Sequence, residues 1–166
     1  MSLEQWRSNG WLKRHRTDAT ELGNLLAIAD RDLADAAAGG LSSDWKFGIA
    51  YNAALKLCTM LLYDAGYMPE KSLAHYRTLL SIVHTLGAGR QGDAAYLDAC
   101  RAKRNRVEYD CVDGASAAEA EELLAFAKDL REEVVGLLAE KYPGLASPKR
   151  DSSRSCRFPP PASPPQ

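Results

Sequence analysis

From residue 18 to about residue 142, apolar side chains recur every three or four positions, the period of a helix with one buried face. Asp18 followed by Glu21 has the spacing of a capping box, and Leu22, Leu25, Leu26, Ala29, Leu33 and Ala36 then hold one face. Gly39-Gly40 ends this helix. Ser42, Ser43 or Asp44 caps the next, whose stripe is Phe47, Ala50, Ala54, Leu57, Leu61 and Leu62. Gly66 ends it, and Pro69 marks the loop. A third helix is expected from about Lys71 to Leu86, with Leu73, Tyr76, Leu79, Leu80 and Val83 inward. Asp93 is placed to cap a fourth, carrying Leu97, Cys100 and Val107. Ser116 with Glu119 repeats the capping-box spacing at the head of a fifth. Its inner face holds Ala120, Leu123, Leu124, Ala127, Leu130, Val134, Leu137 and Leu138, and Tyr142-Pro143-Gly144 stops it. No segment alternates with the strand period. The pattern predicts an all-α fold, an antiparallel bundle of about five helices joined by short loops.

The flanks differ from this middle. Residues 1–17 form a basic, polar segment, with Trp6 and Trp11 as apolar exceptions, and no apolar stretch resembling a secretory signal. Residues 18–145 hold the bundle. Residues 146–166 contain "SPKRDSSRSCRFPPPASPPQ", rich in Pro, Ser and Arg. A disordered tail is expected, with polyproline-II character at Pro159–Pro161: either dispensable, a ligand for a proline-binding groove, or a basic tether. The longest apolar run, Ile49–Tyr67, is interrupted by Asn52, Lys56 and Asp64, as in a buried helix rather than a membrane span. A cytoplasmic protein without membrane contact is the expectation.

Composition narrows the chemistry. The chain has 21 Lys and Arg against 22 Asp and Glu, a net charge of −1, so nucleic-acid contact requires a local patch. Cys58, Cys100, Cys111 and Cys156 form no Cys-x-x-Cys pair, so neither a disulfide framework nor a zinc site is expected. His75 and His84 share one helix but lie nine positions apart, the wrong offset for a shared metal. No metal or other cofactor is therefore expected. "GAGRQG", residues 87–92, matches the letters of a dinucleotide fingerprint but follows a helix instead of a strand, and reads as an interhelical loop. No nucleophile elbow is present.

The densest local charge is "RAKRNRVEYD", residues 101–110. On a helix, Arg101, Asn105 and Tyr109 fall on one stripe, and Arg104 and Glu108 make an i, i+4 pair on the next. Three readings stand open: a solvated helix face, a docking patch, or part of a phosphate site. Asp44 and Lys46, near the start of the second helix, read either as extra polar groups for such a site or as helix-start chemistry. His75 reads as a packed histidine or as part of the same groove.

"RNRVEY" on the fourth helix of an all-α bundle resembles the HEPN superfamily (higher eukaryotes and prokaryotes nucleotide-binding). "DWKFGIAYNAALKLCTMLLYDAGY", residues 44–67, resembles the second helix of uncharacterised bacterial members, "AHYRTLLSIVHTLG", residues 74–87, the third, and "ACRAKRNRVEYD", residues 99–110, the fourth. The resemblance covers about residues 18–142. It implies a homodimer with paired motif helices, which in catalytic members form a metal-independent RNA-cleaving site. Many members are toxins or defence ribonucleases, often partnered by a small nucleotidyltransferase; others bind nucleotides or partner proteins without catalysis. Arg104 and Asn105 match the motif Arg and Asn, and Tyr109 stands where the motif has His. At neutral pH only about one tyrosine in a thousand is ionised, so that exchange removes the ready proton acceptor. The resemblance thus implies a homodimeric nucleotide-, RNA- or partner-binding module of a toxin–antitoxin or defence type. Its alternative is an endoribonuclease using Arg104, Asn105 and Tyr109. Arg101, Asp44, Lys46 and His75 would line the groove.

Overall fold

The structure is a computed structural model that describes residues 1–109 and 112–145, apart from the side chains of residues 108 and 109. Along the chain the elements are α1 (Leu3–Ser8), β1 (Leu12–Arg14), α2 (Ala19–Ala37), α3 (Ser43–Asp64), β2 (Tyr67–Pro69), α4 (Ala74–Leu80), α5 (Ile82–Thr85), α6 (Gln91–Tyr109) and α7 (Ala117–Leu138). The fold is all-α, a helical bundle with one small two-stranded ribbon.

Helix α3 is the axis of the bundle. Eleven of its residues are buried, among them Phe47, Tyr51, Ala54, Cys58 and Leu62, which fall on several faces of the helix. Such a helix needs neighbours on most sides. It packs chiefly against α2 and α7, with α4 and α6 beside them. Buried Leu22, Leu26, Ala29, Leu33 and Ala36 of α2 and Ala120, Leu123, Ala127, Leu130 and Val134 of α7 complete the main core.

Caps follow the sequence with small changes. Asp18 accepts a hydrogen bond from the Glu21 amide at 2.8 Å, but the Glu21 carboxylate turns to His15 and Thr17, so the reciprocal half of the box is not made. Ser42 caps α3, and Ser116 with Glu119 makes a complete capping box on α7. Gly40 and Gly66 take positive φ at the ends of α2 and α3.

Other expectations need correction. The third helix is two pieces. Leu73, expected inward, has left-handed φ 53° ahead of α4 and is 58% exposed. At the other end, buried Ser81 donates from Oγ to the Thr78 carbonyl at 2.6 Å, a local bond that competes with helix continuation and accompanies the break into α5. Leu137, also expected inward, is 54% exposed. Helix α6 begins at Gln91 after a 3-10 turn at Ala88–Arg90, so Asp93 lies inside its first turn and pairs with Arg90 rather than capping.

The N-terminal segment is folded onto the bundle. β1 pairs antiparallel with β2, Leu12 opposite Pro69, and Trp6, Leu12, Leu62 and Tyr67 form a second apolar cluster. Glu4 ties it down, accepting hydrogen bonds from Tyr67 Oη at 2.8 Å and from Arg7 and Arg14. A three-residue strand shows too little alternation to stand out from sequence. The tail from residue 146, Cys111, Cys156, and the side-chain roles suggested for Glu108 and Tyr109 lie outside the described residues.

Candidate functional site

The cationic stretch sits on α6, and its cations divide between partners. Ala94, Leu97 and Cys100 mark the buried stripe of α6. Arg104 follows Cys100 by four residues, so the same stripe carries it inward, and it is half-buried. Its guanidinium carbon lies 5.7 Å from the ring centroid of Tyr51 on α3, within cation–π range. Arg101 is half-buried over the ring of Tyr76 from α4, at 5.4 Å, and its Nε donates to Asp98 at 2.8 Å. Lys103 turns away to Glu119 of α7. Asn105 and Arg106 are exposed. Arg101 and Arg104 therefore do not belong to a solvated face.

Two further side chains complete the junction of α3, α4 and α6. His75 of α4 is exposed, yet it is held below the ordinary histidine range, first by loss of water around part of its ring and then by the positive charges of Arg104, Lys56 and Arg101. Lys56 of α3 is half-buried and makes no hydrogen bond or ion pair among the described residues. The Tyr51 side chain is 1% exposed, and its hydroxyl has no hydrogen-bond partner among those residues. Burial pushes the phenol up to about 12, against the opposing pull of Arg104 and Arg101, so it keeps its proton and can only add a neutral donor.

No family model, no curated protein and no solved structure matches the chain.

The junction thus sets Arg101 and Arg104 beside a protonated phenol, and those two arginines with Lys56 around the His75 imidazole. Two guanidiniums beside a buried donor that has no partner among the described residues favour an anion, and a phosphate oxygen suits a guanidinium and a phenol alike. Among the described residues, no group of three or more His, Cys, Asp or Glu could hold a metal ion. Burial raises the thiols of Cys58 and Cys100 to about 12 and about 11, which leaves both protonated and poorly nucleophilic.

The structure brings Arg101, Arg104 and His75 together, with Asn105 beside them on the outer face of α6. Asp44 and Lys46 go elsewhere. Asp44 accepts hydrogen bonds from the amides of Asp113 at 2.7 Å and Ala115 at 2.9 Å, fixing the connection that leads into α7. Lys46 pairs with Glu121 of α7. Sequence reasoning missed Tyr51 and Lys56 as site members. Lys56 carried a usable signal: a lysine inside an otherwise apolar run must have a polar exit. Among the described residues, no helix is long and apolar enough to cross a membrane.

Proposed function

We propose that this chain is a HEPN-like homodimeric module that binds a nucleotide or RNA phosphate at the junction of α3, α4 and α6. The observation that carries the reading is the pair Arg101 and Arg104 beside the buried Tyr51 hydroxyl, which has no partner among the described residues, with Lys56 and the same two arginines acting on His75. The resemblance of residues 101–110 to the HEPN motif supports the same helix as the functional one, and also supplies the dimeric state. Binding rather than cleavage is the activity, because the position of the motif His is Tyr109 and a phenol is a poor proton acceptor at neutral pH.

The test is calorimetric titration of the full-length protein with AMP, alongside a fluorogenic single-stranded RNA incubated in EDTA. Wild type should bind AMP, Arg104→Ala should weaken that binding at least about 10-fold through loss of a charge-assisted contact, and the RNA should stay intact. Equal AMP affinity in the two proteins overturns the phosphate assignment. RNA cleavage that disappears in Arg104→Ala replaces binding by ribonuclease activity.

A further inference from the structure

One face of α3 is only partly covered. With a helical step of about 100°, Trp45, Ile49, Asn52 and Lys56 fall within roughly 60° of one another around the axis. Each is exposed or only half-buried, whereas Phe47, Ala54 and Cys58, on the opposite side, are buried. The strip is bounded by α2 and α4. Asn52 donates to buried Asp32 of α2, and Lys56 acts on His75 of α4. The charge of Asp32 is answered by Arg31, whose Nη2 lies 2.8 Å away with its side chain 64% exposed. At the far end Trp45 is 70% exposed, unusual for the side chain with the largest apolar surface. A Cβ added at Gly48, one turn along, would meet nothing within 4 Å, so the approach to the indole is open.

The strip therefore joins the Lys56 ammonium at one end to a bare indole at the other. Eleven residues separate Trp45 from Lys56, a rise of about 16 Å, or about five nucleotides stacked at ~3.4 Å. We propose that a single-stranded nucleic acid lies along this face of α3, with a phosphate at Lys56 and an unpaired base stacked on Trp45. This rests on the phosphate-binding reading above and narrows it from any nucleotide to a strand. A duplex hides the faces of its bases, so an indole platform selects unpaired ones. Asn52 and Arg31 lie between the two ends and add polar, cationic contacts along the path.

Two titrations separate this inference from the reading beneath it. Fluorescence anisotropy of 5′-labelled oligo(U) of ten nucleotides reports the whole strip. Calorimetry with AMP, too short to reach both ends, reports the junction alone. Trp45→Ala, at an exposed position, should weaken oligo(U) at least 5-fold and leave AMP unchanged, with Trp45→Phe recovering most of the loss. Equal oligo(U) affinity in wild type and Trp45→Ala, with AMP still bound, overturns the strand path and leaves the phosphate site standing. Failure of wild type to bind either probe overturns both. If Trp45→Ala instead converts a dimer into a monomer in sedimentation equilibrium, Trp45 is a subunit contact and the stacking role falls.

Discussion

Tyr51→Phe separates the stability of this protein from its binding. The substitution removes one oxygen and keeps the ring beneath Arg104, so the cation–π contact at 5.7 Å survives. In the free protein that oxygen is buried with no hydrogen-bond partner among the described residues, at a cost of about 1–3 kcal/mol. Relief of about 1–2 kcal/mol should raise Tm by about 2–8 °C in a chain of this size. The bound state should respond in the opposite sense. A hydrogen bond from a neutral donor to a charged phosphate contributes about 1.5 kcal/mol or more, so its loss should weaken AMP about 10-fold. Thermal unfolding followed by circular dichroism at 222 nm reads the first effect, and calorimetric titration with AMP reads the second. A lower Tm with unchanged AMP affinity would refute the reasoning, because it would mean the hydroxyl is satisfied in the free protein and does not face the ligand.

The other predictions concern the connection ahead of α7 and the two shifted histidines. Asp44→Ala removes both carboxylate bonds to the Asp113 and Ala115 amides. It should cost about 1–2 kcal/mol in urea denaturation and leave AMP binding intact, and weakened AMP binding without loss of stability would return Asp44 to the site. His75 and His84 are both held below 6.5, the ordinary value, chiefly by burial. The unfolded chain then binds more protons at mildly acid pH. Stability should therefore be flat above about pH 6.5 and fall as pH drops below it. His75→Asn should lessen that fall. In NMR titrations the His75 imidazole should titrate below 6.5 in the free protein and move upward with AMP bound, since an anion opposes the neighbouring cations. An unmoved His75 titration at saturating AMP would place the phosphate away from α4.

How legible the molecule was from sequence depends on the range of the signal. Helices α2, α3, α6 and α7 announce themselves because a helical stripe repeats over many turns, and their caps use local chemistry at Asp18, Ser42 and Ser116. The split at Ser81 accompanies a local bond from its hydroxyl to the Thr78 carbonyl, which a serine inside an apolar stripe does not announce, and the left-handed turn at Leu73 has no glycine or asparagine to mark it. The ribbon joins Leu12–Arg14 to Tyr67–Pro69, a pairing across more than fifty residues that no local window contains. The candidate site divides in the same way. Arg101, Arg104 and Asn105 share a helix and could be read together, whereas Tyr51, Lys56 and His75 reach them only through the packing of α3 and α4 on α6. Asp44 shows the converse: its place at a helix start was plain, but its real partners are backbone amides on a connection some seventy residues on.

The ribbon also orders events during synthesis. Its first strand leaves the ribosome early, but its partner emerges only after α2 and α3 have been made. The α2–α3 hairpin, closed by a short turn at Gly39-Gly40, can form as soon as Asp64 is clear. Loop-closure entropy makes the longer-range docking the slower step. Until β2 appears, Trp6, Trp11 and Leu12 have no completed apolar surface to rest on. The oldest part of the nascent chain is thus among the last to find its seat, and in that interval its two tryptophans are what a chaperone would meet.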